Sequence, residues 1–310
     1  MQLGLLTACL PTTPLDQVAS WASDHGYQAL EVAAWPDRPG RDWEASHLDV
    51  EAFSDADARR VSELLDEHRL TLSAVAYYEN NLHSDPAIRE ATHQHLRSCI
   101  DAAQRLGCAL VGTFVGRDIK LTVEENLRLG EQVLPPLVRY ADDRGVRLVI
   151  ENCPMEGWHP DGYPANLGYS PQLWDWMAGL GLYLNFDPSH LVWLGIDPAA
   201  VVPPYAERIL HVQAKDVEID AAARNRLGFF GNVVARSSDP WTSGWWRYRI
   251  PGLGQVDWAE LVATLSAHGY NGVVSVEHED PVWSGTVAKV YDGLVLAAEC
   301  LGEPIHNARA

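Results

Sequence analysis

Positive charge is scarce in this chain. Lys and Arg number 23 against 42 Asp and Glu, a formal net charge of −19 over 310 residues. Such a surface repels phosphodiester backbones and anionic bilayers, so neither nucleic acid nor membrane is an expected partner. A small phosphorylated ligand stays open, because a local site can be basic in an acidic protein. Cysteine is also sparse: Cys9, Cys99, Cys108, Cys153 and Cys300 are odd in number and show no CxxC spacing. Buried free thiols in a reducing compartment fit that pattern better than a disulfide framework. No stretch is apolar enough for long enough to span a bilayer. The opening MQLGLLTACLPTTP lacks a basic n-region and reads as a first strand, not a signal peptide. A cytoplasmic location is the resulting expectation. Linkers, repeats and low-complexity tracts are absent too, and no Gly-rich phosphate fingerprint follows the first strand, which counts against an open dinucleotide-binding sheet.

What is present is alternation. Short apolar runs at Leu3–Thr7, Ala29–Ala33, Thr71–Ala76, Ala109–Val115, Arg147–Asn152, Leu182–Asp187, Ile209–Lys215 and Val273–His278 read as strands. Between and after them, helical patterns cover Asp16–His25, Ala56–Arg69, Pro86–Leu106, Val123–Arg144, Pro171–Ala178, Pro198–Tyr205, Asp257–His268 and Thr286–Leu301. Strands separated by helices imply parallel pairing with right-handed crossovers, and eight such units close into a (β/α)8 barrel. One α/β domain spanning residues 1–310 is expected. The connections after the second, fifth and seventh strands are long, and the seventh holds Phe229, Phe230, Trp241, Trp245 and Trp246. In a barrel these loops lie on the catalytic face.

Metal-binding side chains recur where the apolar runs end. The fifth strand closes LVIENC with Glu151, the sixth LYLNFDPSH with Asp187 and then His190, and the eighth VVSVEHED with Glu277. Any one of these residues alone has an ordinary explanation: Asp187 can cap a turn through Pro188 and Ser189, and His190 can be a satisfied structural histidine. Their recurrence on three strands changes the balance. Three carboxylates meeting at a barrel mouth repel one another unless some are protonated or a cation holds them. One divalent ion resolves the conflict, with oxygen donors suiting Mn²⁺ or Mg²⁺ and an added imidazole admitting Co²⁺ or Zn²⁺.

With IEN at Glu151, DPSH at Asp187–His190, HVQAKD at His211–Asp216, PGLGQVDW at Pro251–Trp258 and SVEHED around Glu277, the chain resembles the xylose isomerase-like TIM barrel superfamily, in its sugar phosphate isomerase/epimerase branch. The resemblance covers essentially the whole chain. It implies one Mn²⁺-type ion held by Glu151, Asp187, the seventh-strand position and Glu277, the two glutamates doubling as acid and base, and His190 contacting the substrate. The seventh strand departs from the pattern, because Gln213 stands where the family usually has a histidine. Alternation puts His211, Gln213 and Lys215 on one side of the strand. Gln213 is the expected ligand through its amide oxygen, with His211, two residues deeper, as the alternative. An apurinic endonuclease branch of the same superfamily carries three zinc ions and extra histidines that this chain lacks.

The implied chemistry is isomerisation or epimerisation of a sugar through a metal-stabilised enediolate. His190, His211, Lys215 and Arg249, with Arg247, are candidates to hold substrate oxygens. Trp158 with His159, and Trp246 with the other seventh-loop tryptophans, are candidates to stack on a sugar face, loop packing or a subunit contact being the plainer role. The alternative outcome is β-elimination from an oxidised (3-keto) sugar or glycoside at the same site, by a lyase. A non-catalytic sugar-binding barrel is disfavoured by the paired glutamates. The expected partner is a small carbohydrate, and a homo-oligomer is possible for such barrels.

Overall fold

The computed structural model describes residues 1–37, 45–155, 164–231 and 241–308. Eight strands form a closed parallel barrel in the order β1-β10-β7-β6-β5-β4-β3-β2. They are β1 (Gln2–Leu6), β2 (Ala29–Ala33), β3 (Thr71–Ala76), β4 (Leu110–Thr113), β5 (Arg147–Glu151), β6 (Tyr183–Phe186), β7 (Ile209–Ala214) and β10 (Val273–Val276). The eighth strand of the sequence reading is therefore β10. Two further strands, β8 (Asp216–Ile219) and β9 (Trp246–Arg249), pair antiparallel outside the barrel.

Helices α1 (Leu15–Asp24), α2 (Asp55–Glu67), α3 (Pro86–Arg105), α4 (Val123–Asp142), α5 (Pro171–Gly179), α7 (Pro198–Tyr205), α9 (Trp258–Ala267) and α10 (Val287–Asn307) match the eight expected segments to within a few residues, α10 running longest past its expected end. Their starts follow local chemistry. Ser54 and Thr122 each form a capping box with an acid three residues on, Asp57 and Glu125, so two orphan amides are satisfied reciprocally. Gly145, closing the turn after α4, has φ 70°, a conformation that costs a residue with a Cβ. No helix among the described residues is long and apolar enough to cross a membrane.

Two short helices were not expected, α6 (Pro188–Leu194) and α8 (Ala221–Leu227). Helix α6 starts directly at Asp187, whose side chain accepts from the Ser189 amide at 2.8 Å. Its apolar PSHLVWL run continues that of β6 without a break, which hides the boundary from periodicity. The seventh loop carries α8 and the β8–β9 hairpin, and the hairpin has its own apolar cluster of Trp193, Val217, Trp245, Trp246 and Tyr248.

The barrel strands also differ from the apolar interiors expected of them. Their outward faces pack on the helices, but several inward positions are polar and fully buried: Glu31, Asn185, His211, Gln213 and Ser275 are each at most 1% exposed. Parallel strands buried on both faces must fill the barrel lumen as well as the helix interface. Here the lumen is filled partly with hydrogen-bonding groups.

Asp216 locks the seventh loop to the barrel. Its Oδ1 accepts from the amides of Val217 and Val256 at 2.8 and 2.9 Å, and its Oδ2 from the Gly252 amide and Trp258 Nε1 at 3.0 and 3.2 Å. A Cβ on Gly254 would lie 2.2 Å from Asp216 Oδ1, so only glycine allows this approach. Asp216→Ala strands four donors at once and should destabilise the fold by about 3 kcal/mol or more. In urea titrations the midpoint should fall with an unchanged slope; an unmoved midpoint would show that the loop does not depend on this carboxylate.

Candidate metal centre

The strand ends bring the expected carboxylates together. Glu151 closes β5, Asp187 follows β6, and Glu277 follows β10. Each offers a ligand oxygen within 4.8 Å of those of the other two, and all three side chains are buried. Lys215, just past β7, projects into the same space. Its Nζ is 2.9 Å from Glu277, 3.0 Å from Glu279, 3.1 Å from Asp187 and 3.8 Å from Glu151. His190 Nε2 lies 3.1 Å from both Glu151 and Asp187. Tyr248, from β9, meets His190 Nδ1 at 2.9 Å and lies under Lys215, whose Nζ is 4.6 Å from the ring centroid.

Charge is not balanced by these partners. Four carboxyl groups face one ammonium and one imidazole, so with every group ionised two negative charges remain. Burial favours neutral carboxyls, yet Lys215 and then His190 hold Asp187 well below the usual carboxylate range. Burial and the nearby Glu151 push Glu277 well above it. Burial opposes charge on Lys215, but Asp187, Glu277, Glu279 and Glu151 together keep the ammonium protonated. For His190, burial is overcome by Cys153 and Asp187; Asp187 is the charged one near neutrality, since burial pushes the Cys153 thiol up to about 11.

The residues present fit a divalent ion. Three carboxylates are in reach of a common point, the uncompensated charge has the right sign and size, and the buried acceptor Gln213 Oε1 has no hydrogen-bond donor. Asp187 thus uses one oxygen to cap α6 and leaves the other facing Lys215 and His190. Both roles weighed for it from sequence coexist in one side chain.

A cavity of about 430 Å³ opens beside these groups. Glu151, Lys215, Glu277 and Glu279 form its polar wall, while Trp35, Tyr78, Phe114, Met155 and Trp241 contribute aromatic and apolar surface. A site of this kind, mostly apolar with a few convergent polar groups, suits a ligand with one hydroxylated and one apolar face.

Other expected contacts lie elsewhere. His211 is not on the cavity wall: Asn185 and Ser73 hold its ring nitrogens at 2.9 and 3.1 Å inside the barrel, and burial lowers its pKa to about 3. Arg249 is paired with Glu218 and Asp280, and Arg247 with Glu218, away from the cavity walls. Trp246 stacks on Trp193 at 4.9 Å within the hairpin cluster, so packing accounts for it and Trp241 takes the place at the wall. Trp158 and His159 lie outside the described residues.

Sequence reading missed Glu31, Tyr78, Tyr248 and Glu279. Glu31 had a visible signal: an acid inside the apolar run ALEVA of β2. Burial raises its pKa to about 7, against the lowering effect of its hydrogen bond from Tyr78. A carboxyl that holds its proton more tightly in the folded chain stabilises fully below the unfolded value of 4.5 and loses that contribution as pH rises toward about 7. In chelator-treated protein, Glu31→Gln should therefore gain stability relative to the parent by ~3 kcal/mol between pH 4.5 and pH 7.5. Denaturant titrations at the two pH values measure this; a pH-independent difference would place the Glu31 carboxyl at its ordinary pKa.

Comparison with known proteins supplies the relationship. A family profile described as xylose isomerase-like TIM barrel matches residues 19–294. The uncharacterized protein YfiH of Bacillus subtilis is 26% identical over 311 residues, 90% of this chain and 93% of that protein. An inosose dehydratase of Clostridium beijerinckii is 29% identical over 169 residues, 51% of this chain and 49% of its own length, so this chain spans about half of that relative. Among solved structures, the IOLI protein with a bound zinc atom aligns with TM-score 0.71 at 17% identity, covering 99% of each chain. An L-ribulose 3-epimerase aligns with TM-score 0.70 at 15% identity, covering 99% of this chain and 95% of its own. Likeness at those identities is one of fold. The profile match over most of the sequence, on a closed eight-strand barrel, shows that this chain belongs to the xylose isomerase-like TIM barrel family.

Proposed function

We propose that this protein is a divalent-metal-dependent enzyme that moves a proton at carbon next to a sugar carbonyl, with isomerisation or epimerisation as the outcome. The observation that carries the reading is the meeting of Glu151, Asp187 and Glu277, ligand oxygens within 4.8 Å of one another, with Glu151 and Glu277 on the wall of a cavity of about 430 Å³. Glu151, Asp187, Glu277 and the amide oxygen of Gln213 would hold the ion, Mn²⁺ being the best match to oxygen donors. When bound, it would polarise adjacent substrate oxygens and acidify the C–H between them.

The chain's own groups do the rest. One glutamate takes the proton from carbon, leaving the electron pair in an enediolate, and the other returns a proton to the opposite face or the neighbouring carbon. Glu277 is suited to holding a proton, because burial and Glu151 already raise it. Lys215, fixed between Glu277 and Glu279 at 2.9 and 3.0 Å, presents a permanent positive charge to developing oxyanions. His190, held by Tyr248, is not on the cavity wall; it sits beneath it and pairs with Glu151 and Asp187.

A lyase outcome is the second reading. If a hydroxyl or glycosidic oxygen lies β to the abstracted proton, the enediolate expels it, with a proton, as water or an alcohol. The similarity to inosose dehydratases and the apolar wall of Trp35, Phe114 and Trp241 favour it for an oxidised sugar or glycoside. Incubation of Mn²⁺-loaded protein with ketoses, keto-sugars and keto-glycosides in D₂O tests both. Deuterium uptake with a moved carbonyl or inverted carbon marks the isomerase, and an unsaturated product with a released fragment marks the lyase. Glu151→Gln and Glu277→Gln should each slow exchange by ~10²-fold or more while the metal-loaded protein stays folded. Absence of metal-dependent exchange with every carbohydrate class would sink the proposal.

A further inference from the structure

Gln213 stands where an imidazole is usual, and an amide is an ambiguous ligand: one end accepts, the other donates. Its side chain binds a cation only if the oxygen is turned toward it. The surroundings of Gln213 leave no freedom on this point. Its Nε2 donates to Glu31 Oε1 at 3.1 Å and to Tyr78 OH at 3.3 Å, which uses both amide hydrogens. Its Oε1 is buried and has no donor. Tyr78 OH in turn donates to the same Glu31 Oε1. With two donors on that oxygen, it accepts whether or not the carboxyl carries a proton on Oε2.

The orientation is enforced from further down the barrel. Asn185 Nδ2 donates to Tyr78 OH at 2.6 Å, and Asn185 Oδ1 meets His211 Nδ1 at 2.9 Å. On the far side of that ring, His211 Nε2 meets Ser73 Oγ at 3.1 Å, and Ser73 Oγ donates to Leu30 O at 3.1 Å. Turning the Gln213 amide over would set its oxygen against Glu31 Oε1, which already accepts from Tyr78, acceptor against acceptor at buried side chains. From Asn185 onward the donors run one way, through Tyr78 to Glu31.

We propose that Glu31, with Tyr78, is the positioning residue that fixes the Gln213 amide oxygen toward the cation, giving an all-oxygen donor set selective for hard divalent ions. This rests on the metal reading of Glu151, Asp187 and Glu277. In Glu31→Gln the new side chain carries an NH₂ that can face Gln213 Oε1, so the amide is free to turn its oxygen away. Outer partners of metal ligands typically contribute 10–100-fold to affinity.

Calorimetric titration of chelator-treated protein with Mn²⁺ tests this directly. Glu31→Gln and Gln213→Ala should each weaken Mn²⁺ binding by ~10-fold or more, and the double variant should bind no more weakly than Gln213→Ala alone, because no amide is left to orient. A general structural role for Glu31 would instead add its loss in the double variant. Gln213→His should shift preference toward Zn²⁺, since Glu31 would then orient an imidazole. Should Glu31→Gln not fold, Tyr78→Phe removes the phenol from both Glu31 and Gln213, one of the two acceptors that hold the amide, and should weaken Mn²⁺ by several-fold. Folded Glu31→Gln, or Tyr78→Phe in its place, within about twofold of the parent overturns the inference but leaves the metal site standing; a parent that takes up no Mn²⁺ overturns both.

Discussion

Four carboxyl groups from Glu151, Asp187, Glu277 and Glu279, all buried, converge on the Lys215 ammonium at the base of the cavity, and most of the local structure is arranged to make that tolerable. Unpaired buried charge is among the costliest things a fold can contain. One ammonium answers part of it, the imidazole of His190 another part, and the remaining deficit is what a divalent ion would fill. Without such an ion, Glu277 relieves the crowding by keeping its proton. Affinity for metal and for protons is therefore linked at this site, since a ligand carboxyl must give up its proton to coordinate.

The mouth of the barrel was legible in the sequence because its carboxylates interrupt apolar runs at their C-terminal ends, where a parallel barrel places chemistry. Glu151 follows Leu148, Val149 and Ile150, and Asp187 and Glu277 follow strands with a single uncharged polar residue each, Asn185 and Ser275, so each is the first charge at its strand's end. The barrel itself was legible for the same reason, through eight apolar runs spaced by helical patterns. Residues acting from within a strand were harder to see. Glu31 and Asn185 lie inside short apolar segments, and Tyr78 lies just beyond one; periodicity does not distinguish a lumen-facing residue from a helix-facing one when both faces are buried.

The seventh loop was the least readable part. Its length and aromatic content pointed to function, but not to a hairpin with its own apolar cluster. Trp245 and Trp246 are consumed in packing that hairpin, and Arg247 and Arg249 in ion pairs with Glu218 and Asp280. It reaches the site through Trp241 on the cavity wall and through Tyr248, a residue with no motif around it, which meets His190 from β9. His211 illustrates the opposite case: a histidine in a motif, neutral and enclosed, serves the polar interior instead of the substrate cavity.

The hairpin's independence has an evolutionary corollary. Within residues 216–231 and 241–249, the described part of this loop is anchored at its base by Asp216, packs on itself and on α6, and meets the acid cluster through the Tyr248 phenol and the cavity wall through Trp241. Such a module can be exchanged, lengthened or recoloured while the barrel-borne acids keep their places. Within this architecture, a change of lobe would alter the cavity wall while leaving the strand-borne acids in place, so diversity among relatives should concentrate in that lobe more than in the strand tips beneath it.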